Sequence, residues 1–363
     1  MVERDPTHPP LAGKIDVHHH IIPPVLAQAI EQHGLTAMAG AAEPEWSAER
    51  SIALMDAQGI ACAITSVSAP GVYLGDRQQA QTLARACNEF SAELSDRHPT
   101  RFGSFATLPM PLPEASCQEA VHALDHLGAA GIVLLASNDG IYLGDPRFEE
   151  LLTELDRRAA TVFIHPNLHP SSQGLGLEAP GFLIEFLCDT TRAALNLVLT
   201  GSLERHPNIR WILAHAGGFL PYVAWRMSLA NLDPKFAKAA PQGVLSYLRR
   251  FYFDTALSTS TYAMAALSDF AANDRILFGS DFPYAPAPMT ALQIQSLQEI
   301  QRWDDDTRGR VFRGNALSLF PALARPDEPP ARAAIPAAPS GMSRIKRLAM
   351  RSAVGAIEAI RNR

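Results

Sequence analysis

Eight short runs rich in β-branched and aromatic residues recur along this chain, and each is followed by a segment of helical periodicity. They are KIDVHHH from Lys14, ACAITSV from Ala61, RFGSFATL from Arg101, GIVLLA from Gly131, TVFIHP from Thr161, RWILAHAG from Arg210, FYFDTA from Phe251 and RILFGSDFP from Arg275. Strands separated by helices pair in parallel, because the crossover helix carries the chain back to the end where the strand began. Eight such units are the number that closes a (β/α)8 TIM barrel, whereas a doubly wound sheet uses fewer and opens on a Gly-rich turn. The predicted architecture is therefore an α/β barrel. With 47% hydrophobic and 19% charged residues, the 363-residue chain has the apolar content to fill one.

Local signals agree with this pattern. SAERSIALMDAQG carries apolar Ile52, Leu54 and Met55 and ends on Gly59, where a C-terminal cap belongs. DPRFEELLTELDRRAA opens on Asp145-Pro146, a capping acid followed by a first-turn proline, and carries Phe148, Leu151, Leu152 and Leu155 at helical spacing. The barrel is expected over residues 1–325, followed by a Pro/Ala-rich linker (326–341) and a short basic amphipathic helix (342–363). That last segment sets Ile345, Leu348, Val354 and Ile357 beside Arg344, Lys346, Arg347 and Arg351, and a solvated terminal extension is its plainest reading.

Composition excludes several classes. A net charge of −6 with no basic face in the first 320 residues speaks against nucleic acid as partner. The apolar runs are of strand length, far below the roughly 20 residues of a membrane span. MVERDPTHPP lacks the apolar stretch of a signal peptide, so the expected location is the cytoplasm. Cys62, Cys87, Cys117 and Cys188 are too scattered for a zinc knuckle or a disulfide framework.

In a barrel of this type the chemistry sits at the C-terminal ends of the strands. There the runs end in His18, His19 and His20, in His165, in His215 and in Asp281. Because alternate strand residues share a face, His18 and His20 point one way and His19 the other. A histidine after one strand is more often a hydrogen-bonded loop residue than a ligand, but the joint pattern is hard to reach by chance. An aspartate within FGSDFP is costly to bury without a cationic partner. Imidazole and carboxylate together suit one divalent ion, Zn2+ first and Mn2+ as the alternative. His33, His98, His122, His126, His169 and His206 fall in helices or loops and are read as structural.

The His18-x-His20 pair, HPN at His165, AHAGG at His215, GSDFP at Asp281 and the terminal RGNAL at Arg313 resemble the amidohydrolase superfamily, in its branch of metal-dependent non-oxidative decarboxylases. That branch holds the aminocarboxymuconate-semialdehyde and 6-methylsalicylate types. The resemblance spans roughly Lys14 to Leu323. It implies His18, His20, His165 and Asp281 as ligands of a single metal ion and His215 as adjacent acid/base. A second ion bridged by a carboxylated lysine is not expected, since GIVLLASN carries no lysine. Arg226, eleven residues after His215, matches an arginine that in the semialdehyde type crosses a subunit interface to a substrate carboxylate, which implies a homodimer or higher homo-oligomer. Asp254, ending FYFDTA, is expected to orient His215 or to bind a substrate hydroxyl, with Glu185 and Asp189 as weaker candidates. Phe182, Phe186, Phe282 and Tyr284 are candidate aromatic walls.

The function expected is decarboxylation of an aromatic ortho-hydroxy carboxylic acid of the salicylate or 6-methylsalicylate class, whose carboxylate and neighbouring oxygen form a chelating pair. The proton for the ring carbon comes from His215 or Asp281. The alternative is metal-dependent hydrolysis of a lactone, ester or amide on the same barrel, and a third reading makes the barrel a non-catalytic scaffold for the basic tail.

Overall fold

A computed structural model describes residues 13–35, 37–176 and 178–324. The expected linker and basic helix lie outside the described residues. Eight parallel strands form one sheet in sequence order: β1 (Lys14–His20), β2 (Ile60–Ser66), β3 (Phe102–Thr107), β4 (Gly131–Leu135), β5 (Thr161–His165), β6 (Arg210–Leu213), β7 (Tyr252–Asp254) and β8 (Ile276–Leu277). β8 returns to β1 through Val17 N–H donating to the Phe278 carbonyl at 3.0 Å, which brings the sheet round to a nearly closed (β/α)8 TIM barrel. Every predicted strand is present. No helix among the described residues is long and apolar enough to cross a membrane.

Each strand is followed by a helix of the outer layer: α1 (Ala48–Gln58), α2 (Arg77–Arg97), α3 (Pro113–Asp125), α4 (Glu149–Arg157), α5 (Glu185–Leu199), α6 (Leu220–Met227), α7 (Thr261–Phe270) and α8 (Ala287–Gln298). The start and stop signals act as read. Ser47 Oγ accepts from Arg50 N–H at the head of α1, and Gly59 closes it at φ +63°. Before α4, Asp145 caps a tight 3₁₀ turn over Pro146–Phe148 rather than the α-helix itself.

Two cores result. Between strands and helices lies the larger, with Met55, Phe102, Phe148, Leu151, Leu197 and Phe253 among its members. Inside the barrel, Ile15, Val17, Ile64, Phe105, Val133, Phe163, Ile212 and Leu277 meet, and Leu317, Leu319 and Phe320 pack onto this set. Phe163 links this floor to the mouth: its ring stacks on Phe105 at 5.4 Å and meets the His18 ring edge-on at 4.9 Å. Truncating it opens a cavity under His18 in a site that the closed sheet cannot collapse. Phe163→Ala should lower stability by about 3–5 kcal/mol, measured as the shift in urea unfolding midpoint.

Candidate metal centre and active site

His18 and His20 leave the end of β1, His165 ends β5, and Asp281 stands in the turn after β8 at φ +62°. One ligand atom from each lies within 4.8 Å of all the others, and all four residues are buried. The predicted convergence of these four side chains is present. Close approach of β8 to β1 requires Gly279, where a Cβ would stand 2.7 Å from that of His18.

Each imidazole is fixed from behind. His18 Nδ1 donates to Asp254 Oδ2 at 2.7 Å, His20 Nδ1 to the Ser66 carbonyl at 3.2 Å, and His165 Nδ1 to the Pro166 carbonyl at 2.8 Å. These acceptors draw the proton to each Nδ1, with the Ser66 hydroxyl also 3.2 Å from that of His20, and turn each Nε2 toward the centre of the group. Two of those nitrogens, on His18 and His20, face each other at 2.9 Å with their rings perpendicular at 89°. Asp281 Oδ1 lies 3.2 Å from the first and 3.0 Å from the second. Lone pairs at such spacing repel unless a cation lies among them, either a proton on His18 Nε2 or a metal ion. Three nitrogens and one oxygen, locked by acceptors behind, fit one divalent ion.

The electrostatics describe the same demand. Burial alone would depress the His18 imidazole, but Asp254 and Asp281 outweigh it and lift its pKa to about 10. Burial lowers His20, and burial with three neighbouring imidazoles pushes His165 well below the usual range. Asp281, despite burial, is held far below the usual carboxylate range, chiefly by His18.

His215 stands beside this group and outside it. Its ring centroid is 5.0 Å from that of His18, its Nδ1 donates to the Ala256 carbonyl at 3.1 Å, and its backbone is in the left-handed region at φ +55°. Nε2 is therefore its open nitrogen. Phe186 reaches the His165 ring at 5.9 Å and Tyr284 the His20 ring at 5.4 Å. Phe282 instead packs on His19, facing away from the group, and Phe182 is exposed.

Other expected site residues stand elsewhere. Asp254 is wholly buried behind His18: Oδ2 takes the His18 ring, and Oδ1 takes the His215 and Ala256 amides, both at 2.9 Å. It holds the His18 ring and, through the backbone amide, His215. Asp189 ties the β4 and β5 loops together by accepting from Ser137 Oγ and Asn167 N–H. Glu185 opens α5. Arg226 is exposed on α6, flanked by exposed Tyr222 and Trp225, and is not brought to the four buried side chains within one chain. Asp16 and Ser280 were missed. Asp16 is buried in mid-strand, an unusual place for a carboxylate, and that was the available signal.

A family model described as amidohydrolase matches residues 15–322. The chain belongs to the amidohydrolase family. Relatives within it include decarboxylase yanB of Aspergillus niger, 36% identical over 86% of this chain and 89% of that protein. The 6-methylsalicylic acid decarboxylase of Penicillium expansum is also 36% identical, over 86% and 97%. A crystal structure of dihydroxybenzoic acid decarboxylase from Polaromonas sp. JS666, with bound manganese and the inhibitor 2-nitroresorcinol, matches with a TM-score of 0.74 at 25% identity over 86% and 98%.

If Asp254 fixes the tautomer of His18, an amide there breaks the arrangement, because its NH2 cannot accept. Asp254→Asn in this amidohydrolase should weaken divalent-ion binding about 10–100-fold, read by competition with a chelating dye.

Proposed function

We propose that this amidohydrolase is a metal-dependent non-oxidative decarboxylase of an aromatic ortho-hydroxy carboxylic acid, of the salicylate or 6-methylsalicylate class. The observation that carries the reading is the set of three Nε2 lone pairs and one carboxylate aimed at one point in the barrel mouth. The names of the relatives support the reaction type. When bound, a divalent ion supplies Lewis acidity and a fixed attachment for a carboxylate and its ortho oxygen. Zinc is the ion we favour for three histidines and one aspartate, and manganese is the competitor.

The chain's own residues divide the remaining work. Near the ends of β2, β3 and β4, which contribute no ligand, one small cavity of mixed lining sets Val67, Leu108, Met110 and Leu135 beside Tyr73, Thr107 and Asn138, and its apolar members are the candidates for contact with a ring. Phe186 and Tyr284 flank the histidines and exclude water. We assign the proton transfer to His215: Ala256 holds Nδ1, so Nε2 is the nitrogen that takes up a proton and delivers it to the ring carbon. The carbon–carbon bond to the carboxylate then breaks, carbon dioxide leaves, and its electron pair restores the aromatic ring. Asp281 is the other candidate donor.

We further propose that the enzyme works in the cytoplasm as a homodimer, with Arg226 serving the partner's site. In support, Tyr222 and Trp225 on α6 and Tyr262 on α7 are 86%, 63% and 81% exposed, an aromatic face unusual for a monomer surface.

Incubation with a hydroxybenzoate panel should release carbon dioxide with loss of ring-acid absorbance, and dialysis against a chelator should abolish it. A new carboxylic acid without gas would instead establish hydrolysis. His215→Ala should retain the metal and lose at least about 100-fold in kcat; parallel loss of metal would make it a ligand. Trp225→Glu should yield monomers in sedimentation velocity, and Arg226→Ala should raise KM about tenfold or more with metal content unchanged.

A further inference from the structure

Pairing between β1 and β2 slips by one residue in the middle of the strand that carries two of the four candidate ligands. Asp16 lies opposite Ala63 and His19 opposite Thr65, so three steps on β1 match two on its neighbour. The slip has a purpose that alternation alone cannot serve. Ile15 and Val17 belong to the barrel interior, and His18 turns inward directly after Val17, so two consecutive side chains face the same side. Asp16 and His19 are left on the outer face, both wholly buried.

There, one carboxylate collects four donors. Asp16 Oδ1 accepts from His18 N–H at 3.1 Å and from Ser280 N–H at 3.0 Å. Oδ2 accepts from Ser280 Oγ at 2.6 Å and from His19 Nδ1 at 3.1 Å. His19 Nε2 then accepts from Ser51 Oγ at 3.0 Å, and Trp46 donates to that hydroxyl at 3.0 Å, which ties the cluster to α1 and the segment before it. Ser280 directly precedes Asp281. β1 and β8 stand at the two ends of the hydrogen-bonded sheet, and their seam is closed by a single parallel bridge, His19 opposite Phe282, with a few backbone bonds around it. It is crossed by Asp281 N–H to the His18 carbonyl at 2.8 Å, His20 N–H to the Phe282 carbonyl at 2.6 Å, the Val17–Phe278 bond and the Asp16 carboxylate.

We propose that Asp16 is a positioning residue of the metal centre. By binding the backbones of His18 and Ser280 with the same carboxylate, it sets the spacing between the strand-borne imidazoles and Asp281. This rests on the reading of the four side chains as ligands of one ion. A carboxylate is the group the position needs, since all four partners are donors; an amide of the same shape turns an NH2 toward at least one of them.

The test uses the full chain, stripped by chelator and reloaded with Mn2+. Asp16→Asn, Ser280→Ala, the double variant and His165→Ala are compared by chelator competition, by the Mn2+ electron paramagnetic resonance signal, and by the melting temperature of the stripped protein. We expect Asp16→Asn to weaken Mn2+ binding about 10–100-fold and to change the spectrum of the bound ion, Ser280→Ala to weaken it about three- to tenfold, and the double variant to match Asp16→Asn. Wild-type affinity and spectrum in folded Asp16→Asn and Ser280→Ala, with binding lost in His165→Ala, overturn the proposal and leave the ligand set standing. Equal Mn2+ binding by wild type and His165→Ala overturns the ligand set, and the proposal with it. If Asp16→Asn does not fold, Ser280→Ala decides alone: it removes the shorter of the two bonds by which the carboxylate holds Ser280, and unchanged affinity and spectrum refute the role.

Discussion

Everything functional in this molecule depends on three imidazole rings being held by the wrong end. Nδ1 of His18, His20 and His165 each meets a group that can only accept, namely a carboxylate and two backbone carbonyls. The proton is thereby fixed on the far nitrogen and the lone pair on the near one. Free imidazole would exchange between tautomers and rotate; here burial removes the water that would compete for Nδ1. The site is thus prepared by partners lying behind it, and its electrostatic discomfort without a cation is the measure of that preparation.

Backbone strain is present at the site as well. His215 and Asp281 both adopt positive φ, and both are pinned by neighbours: His215 N–H by Asp254, Asp281 N–H by the His18 carbonyl. Gly217 and Gly218 follow His215 at φ +75° and +64°, and a Cβ on Gly218 would approach the Leu187 carbonyl to 2.3 Å. The chain turns sharply after β6, so His215 lies beside the four candidate ligands and outside their group. A relaxed loop would carry it past the mouth.

How much of this was legible in the sequence follows from the range of the interactions. Strand and helix identities are local, and all eight strands were readable because periodicity and caps such as Ser47 and Gly59 report on neighbouring residues. The inward pairing of His18 and His20 was readable from alternation, and barrel closure then brought His165 and Asp281 to them. The slip between Asp16 and His19 was not, because register is decided by the partner strand. Asp254 illustrates the same limit: its place near the mouth was evident, but only the packed barrel turns it toward His18 and the amides of His215 and Ala256 and away from open solvent. Arg226 could be located on its helix, yet what it touches belongs to a level above one chain.

The distribution of polar groups around the rim carries the last step. The candidate ligands and the adjacent histidine come from β1, β5, β6 and the β8 turn, while the ends of β2, β3 and β4 present Val67, Leu108 and Leu135 together with Thr107 and Asn138. A molecule held at the ligand side by two oxygens would lay the rest of its body toward side chains that carry no formal charge. Such a body gains by carrying no second charge, since an ionised group there would lose its hydration without a partner. Charge at one end and an uncharged body at the other is the pattern that the two halves of the mouth jointly favour.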